Sequence, residues 1–172
     1  MHLAFLIITW WSTVASALVV DRIEVVVDDQ LVMTSEVQLE EVLATLDAAQ
    51  SPFWAPNHKD ALERLVDAAV IRQVSGDLKL YVPADEQVRQ RVEDIRQQFA
   101  NRGAWSDFLQ RWGLDEVMLR TTIRRRMVVE RYLARNVQSN PLQRNVWLAD
   151  CDTLLLQLRE RLRIRRPPPP KQ

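Results

Sequence analysis

The sequence predicts a mostly α-helical domain with a small β-sheet built from the N-terminal hairpin and a C-terminal strand. Three observations carry this expectation. Long stretches place apolar residues at steps of three and four, as in Ala61, Leu62, Leu65, Val66, Ala69 and Val70, the spacing of one helix face. Two short segments alternate instead, residues 22–27 near the start and 161–166 near the end, as half-buried strands do. The charges are also graded along a chain that is neutral overall. Residues 18–60 hold nine acids and two bases, while residues 111–172 hold six acids and fourteen bases. An acidic beginning and a basic end are complementary if they meet in the fold.

The chain opens on an apolar leader. Residues 1–20 contain no Asp, Glu, Lys or Arg, and Ala15-Ser16-Ala17 offers small residues at the two positions a signal peptidase admits. This reads as an export signal over residues 1–17, cleaved after Ala17. The rival reading is an uncleaved anchor, because the leader is about as long as a ~20-residue membrane span. No stop-transfer cluster of charges follows, and residues 19–27 read as strand. Cleavage leaves 155 of 172 residues, enough for one domain with its own core.

The elements follow in order. Residues 22–27 form a strand, Asp28-Asp29-Gln30 a turn, and Leu31-Val32-Met33 the second strand of a hairpin. Ser35 with Gln38 suggests a capping box for a helix with Val37, Val42, Leu43 and Leu46 inward. Pro52 and Pro56 mark a loop. Asn57 is the expected cap of the second helix, which Gly76 stops. Residues 78–82 read as an extended link. Pro83, Asp85 and Glu86 open a third helix with Val88, Val92, Ile95 and Phe99 inward, ended by Gly103.

A short helix then carries Trp105, Phe108, Leu109 and Trp112 and closes at Gly113. Asp115 caps the longest helix, running to about Asn136, with Leu119, Ile123, Met127, Tyr132 and Leu133 inward. After Ser139-Asn140-Pro141, residues 146–160 form a last helix with Trp147, Cys151, Leu154, Leu155 and Leu158 inward. Residues 161–166 give the final strand. Pro167 to Pro170 end it, leaving residues 167–172 as a solvated tail.

Much chemistry is missing. Beyond the leader there is one histidine, His58, and the chain has one cysteine, Cys151. That leaves no multi-histidine metal site, no internal disulfide and no nucleophile–histidine pattern. No glycine-rich loop is present to cradle phosphate. Glu116 with Arg120, and Arg126 with Glu130, are helix-surface pairs worth tenths of a kcal/mol. Arg124-Arg125-Arg126 reads as a solvated helix face, with contact to an anionic lipid or substrate as the sharper alternative. Cys151 reads as a small buried hydrophobe. The residues describe a binder without a cofactor. An exported protein also has no nucleic acid as partner, and contact with a membrane comes only through an uncleaved leader.

Several motifs together resemble a known family. Residues 20–29 followed by Thr34-Ser35-Glu36-Val37, then Ala61-Leu62-Glu63-Arg64-Leu65-Val66-Asp67, then Asp85-Glu86-Gln87-Val88, Phe108-Leu109 with Gly113-Leu114, and Leu119 with Ile123-Arg124 and Met127, are similar in order and spacing to the SurA-type periplasmic chaperones. The resemblance covers residues 19–138. Trp147-Leu148 through Leu158-Arg159 to Ile164 resembles the helix and strand that return to complete that family's N-terminal domain. Between them the family carries parvulin-type prolyl isomerase domains, and here only residues 138–144 occupy that place.

The resemblance thus implies a chaperone core over residues 18–166 without isomerase activity. It would bind unfolded outer-membrane polypeptides in the periplasm without ATP. Two alternatives stand beside it: a dedicated assembly module for one defined partner, in one form a homodimer, and an isomerase in family name only. Trp54, Trp105, Phe108 and Trp112 are the candidate peptide-binding residues. Each is either core or part of an exposed groove, with Phe108 expected inside and Trp105 nearer the surface.

Overall fold

The protein is described by a computed structural model covering residues 21–47, 51–76 and 78–168. The leader with Ala15 and Ala17, and the end of the proline-rich tail, lie outside the described residues. Strands β1 (Ile23–Val27) and β2 (Gln30–Met33) form the hairpin, and β3 (Ile164–Arg165) pairs with the other edge of β1. The sheet is antiparallel throughout, in the order β2-β1-β3. Opposite Ile164 sits Val27, and opposite Arg165 sits Val26. Asp28 turns the hairpin at a φ of 51°, a conformation its short polar side chain tolerates. Its backbone N–H donates to Arg163 O at 2.8 Å, and its carboxylate accepts from Arg163 N at 2.8 Å. The tip of the hairpin therefore holds the returning C-terminal segment directly.

Six α-helices complete the described chain: α1 (Thr34–Leu46), α2 (Ala61–Ser75), α3 (Asp85–Arg96), α4 (Arg102–Arg111), α5 (Glu116–Asn136) and α6 (Arg144–Arg159). The expected fold class, a mostly helical domain with a three-stranded sheet from both ends, is what is observed. Helix α2 is the hub. It packs on α1, α5, α6 and both hairpin strands, so Val66, Ala68, Ala69, Val70 and Ile71 are all buried. Asp60 caps it by accepting from Glu63 N at 2.8 Å. Asp115 caps α5 by accepting from Met118 N at 2.7 Å. Each cap satisfies one of the four N–H groups a helix start leaves unpaired.

Two apolar clusters form. The first joins Val25, Val27 and Val32 of the hairpin to Phe53, Trp54, α2, the second half of α5 and Trp147, Cys151, Leu155 and Leu158 of α6. The second joins Leu39 and Leu43 of α1 to Val88, Val92 and Ile95 of α3, Trp105 and Phe108 of α4, and Leu119 and Ile123 of α5. Helices α1 and α5 run through both.

Several local expectations are corrected. Ser35 lies inside α1, whose cap is Met33. Glu36, not Gln38, closes the box by accepting from Met33 N at 3.0 Å, and Asp21 accepts from Ser35 N at 3.0 Å from outside the helix. Asn57 sits in a turn and accepts from Arg144 at 2.7 Å, leaving the cap of α2 to Asp60. Pro52–Trp54 is a 3-10 turn rather than open loop. Residues 78–82 form successive turns, not an extended link, with Tyr81 N donating to Leu78 O at 3.0 Å. Gly103 is the second residue of α4, and α3 ends earlier, at Arg96.

The final strand is two residues long, and the charges of the two ends do not pair across the sheet. Glu24 bonds Arg22 and Thr34, while Arg166 reaches Glu63 on α2 at 2.6 Å. Arg159 likewise pairs with Glu63 and Asp67 of α2. The basic end meets acids, but those of the central helix. Asp21 and Glu24 are taken instead by Ser35, Thr34 and Arg22, and Asp28 by the backbone of Arg163.

Candidate functional site

The strongest departure from a simple apolar core is a buried chain of ion pairs. Arg64 of α2 donates to Glu40 of α1 at 2.9 Å, and Glu40 also accepts from Arg126 of α5. Arg126 donates through Nε to Asp47 at 3.1 Å. Asp47, at the end of α1, accepts two bonds from Arg91 of α3, at 2.8 and 2.6 Å. Arg91 then forks onto Glu130 of α5 at 2.6 and 2.7 Å. Five of these six groups are buried and Glu130 is half-buried. Three guanidiniums thus face three carboxylates and tie four helices together. Burial works against the Arg91 charge, but Glu130 and Asp47 outweigh it and raise its pKa. Two sequence expectations fall here. Arg126 is not on a solvated face, and its partners are Glu40 and Asp47 rather than Glu130. The spacing of helix-surface pairs carries no information about which turn faces inward.

A groove opens beside this network, between α1 and the first half of α5. Its walls are Ser35, Glu36 and Leu39 on one side and Trp112, Leu114, Val117, Met118, Thr121, Thr122 and Arg125 on the other, enclosing about 340 Å³. Val117 is 67 % exposed and Met118 50 %. The floor continues inward, past Glu36, Leu39, Thr122 and Arg125, into a cavity of about 70 Å³ lined by Val32, Glu40, Leu43, Trp54, Leu65, Ala68, Arg72 and Arg126. On the far side of α1, a shallower depression of about 780 Å³ runs between Gln38, Glu41 and Val42 and the aromatic face of Phe99, Phe108 and Trp112. Trp112 borders both openings. Groove and inner cavity are therefore continuous, and the outer depression adjoins the groove across Trp112, so that open tracts flank α1 on both sides.

The four expected peptide-binding aromatics take different places around these openings. Trp112 is half-buried at the ridge between the two openings. Phe108, 8 % exposed, forms part of the floor of the outer depression. Trp105 is equally hidden at 7 % and lines none of these openings. It stacks on Phe108, with ring centres 5.6 Å apart, and meets Phe99 edge-on. The expected split, Phe108 inside and Trp105 outside, is not observed. Phe99 packs against both rings, 5.3 Å from Trp105 and 5.1 Å from Phe108 between centroids, and so draws Trp105 inside. Trp54 is 1 % exposed, lies under the Arg126 guanidinium at 4.1 Å, and reaches only the inner cavity.

Leu39, Leu114, Val117, Met118, Arg72 and Arg125 are the site residues that sequence reasoning missed. Val117-Met118-Leu119 held a readable signal, since three successive apolar residues at a helix start overfill a single inward stripe. Arg125 stood in the Arg124-Arg125-Arg126 run, and Arg72 carried no signal.

The isolated chemistry-bearing residues are structural. His58 Nδ1 donates to Phe53 O, 3.0 Å away, and Nε2 lies 3.4 Å from Asp152. Cys151 is buried, and desolvation, reinforced by Asp152, pushes its thiol up to about 12. Among the described residues no three His, Cys, Asp or Glu side chains converge as a metal site. No described helix is long and apolar enough to cross a membrane. Comparison with protein-family models and with curated proteins gives no match to this sequence.

Proposed function

We propose that the chain is a non-enzymatic polypeptide-binding module, an exported periplasmic chaperone that holds unfolded outer-membrane polypeptides through the open tracts that flank α1. The supporting observation is the exposure of Val117 and Met118 on a groove floored by Leu39 and flanked by Trp112 and Leu114. An apolar trough with an adaptable methionine and an aromatic ridge suits varied apolar segments better than one fixed ligand. The order of SurA-like motifs and the apolar leader point the same way. The test is suppression of aggregation of unfolded outer-membrane proteins, with unfolded soluble proteins as controls. Val117→Ser/Met118→Ser should fold normally and lose protection. Equal protection by the variant removes the groove from the function.

A second reading has its own observation. Val146 and Leu156 of α6 are 52 and 64 % exposed, and with Ala149 and Thr153 they follow the three–four spacing of a helix-pairing seam, which Leu142, 91 % exposed, extends from the turn before the helix. That stripe favours a dedicated partner, or a second copy, docking on α6. Sedimentation at increasing concentration checks it: Leu156→Glu should abolish any dimer and leave chaperone activity intact.

A further inference from the structure

Three buried N–H donors without a partner among the described residues belong to one cavity. They are Trp54 Nε1, Arg72 Nε and Arg126 Nη2, and all three residues line the 70 Å³ chamber at the inner end of the groove. Trp54 is 1 % and Arg126 3 % exposed. Buried donors are normally satisfied, and each left unpaired is costly. Arg126 spends its other nitrogens on Asp47 and Glu40, so only Nη2 is free.

The second half of the observation is an uncompensated charge. Arg72 and Arg125 both border the chamber and the shallow opening beside β2, and neither forms an ion pair among the described residues. Burial lowers the pKa of Arg72, and repulsion from Arg125 lowers it further, with only Glu36 opposing. Glu36 Oε2 is already engaged by Met33 N. The chamber is therefore a cationic, donor-rich end to an apolar groove. Its remaining walls are Val32, Leu39, Leu43, Leu65 and Ala68, with Thr122 and with Glu40, whose carboxylate is already held by Arg64 and Arg126.

Resting on the polypeptide-binding reading above, we propose that this chamber receives the free C-terminal carboxylate of the bound polypeptide, with its last side chain apolar. A planar carboxylate matches guanidinium donors, and charge-assisted bonds of this kind are about twice as strong as neutral ones. At ~10–15 Å³ per water, 70 Å³ has room for a small terminal group but not for a bulky headgroup. The apolar walls disfavour a fully hydrated anion such as phosphate.

The test compares two forms of one short unstructured apolar peptide ending in leucine, with a free carboxylate and with a C-terminal amide, titrated into the full chain. The free acid should bind about 10- to 100-fold more tightly, and the margin should shrink with added salt. Arg72→Gln and Arg125→Gln should each weaken binding of the acid more than binding of the amide, so that the acid–amide margin narrows; a margin equal to that of the parent would overturn the carboxylate site. These changes are at the edge of the chamber, and matched melting curves establish that the variants fold. Acid and amide binding equally well would overturn the carboxylate site while leaving a polypeptide groove. Neither form binding would overturn both. Octanoate binding with the same arginine dependence, in the absence of any peptide binding, would assign the chamber to a free acyl carboxylate and refute the polypeptide occupant.

Discussion

The two apolar clusters are built from similar residues but finished differently. The first, around α2, is the more closed: the hairpin covers one face, α6 another, the C-terminal segment returns to lock the edge of β1, and it meets the groove through the small cavity lined by Val32, Trp54 and Ala68. The second, around α3 and α4, is roofed by a ten-residue helix and leaves open tracts on both flanks of α1. The charge network runs between them. The contrast shows how one chain can separate stability from binding. A closed cluster has no apolar surface to offer, and an open one needs a neighbour to hold it.

The largest expected effect breaks that connection. Arg126→Ala strips Glu40 and Asp47 of a buried partner, and such losses cost ~3–5 kcal/mol. Urea unfolding followed by tryptophan fluorescence and by circular dichroism should shift as one transition. Two separate transitions would mean that the clusters fold on their own and the network merely joins them.

Trp105→Ala should cost about 3 kcal/mol, the low end for a buried aromatic, because the outer depression gives the site freedom to relax. Client binding should weaken only as far as α4 loosens. A stable fold with unchanged binding would exclude Trp105 from any role in the open tract.

Removing residues 161–172 takes half-buried Leu162 and Ile164, the β1 edge and the Arg166–Glu63 pair from the closed cluster. A loss of about 2 kcal/mol is expected from the apolar area alone. An unchanged melting temperature would show that the returning strand closes nothing.

The smallest stability change belongs to the open side. Val117→Ser/Met118→Ser should fall within about 0.5 kcal/mol of the parent. A large destabilisation would mean that these residues pack in solution and the groove is shut.

Cys151 supplies a probe of the closed cluster that needs no mutation. Its thiol is raised to about 12, above the ordinary ~8.5. The folded state thus keeps the proton longer than the unfolded chain. The stability tied to this group is complete below the ordinary thiol range and is lost as pH rises toward 12. Alkylation of native protein at pH 8 should be limited by unfolding. Fast labelling would show that α6 opens alone.

The sequence alone determined the elements and their coarse assembly. Apolar steps of three and four located all six helices, Asp115 fixed the start of α5, Gly76 and Gly113 marked turns at positive φ, and the alternating ends supplied the sheet. These features follow from local periodicity and backbone preference, which act over a few residues. The tertiary structure alone decided which charges went inside. Arg64, Arg91 and Arg126 read as surface residues by their charge, although Arg91 and Arg126 fall on the inward stripes of their helices. They are buried because α1, α2, α3 and α5 present opposite charges at the same depth, while buried Asp67 is held by Lys59 and by Arg159 of α6. The same holds for the groove. Trp105 and Trp112 are alike in sequence, but only Trp112 borders the openings. A residue's exposure depends on what packs across from it, and that neighbour comes from a distant part of the chain.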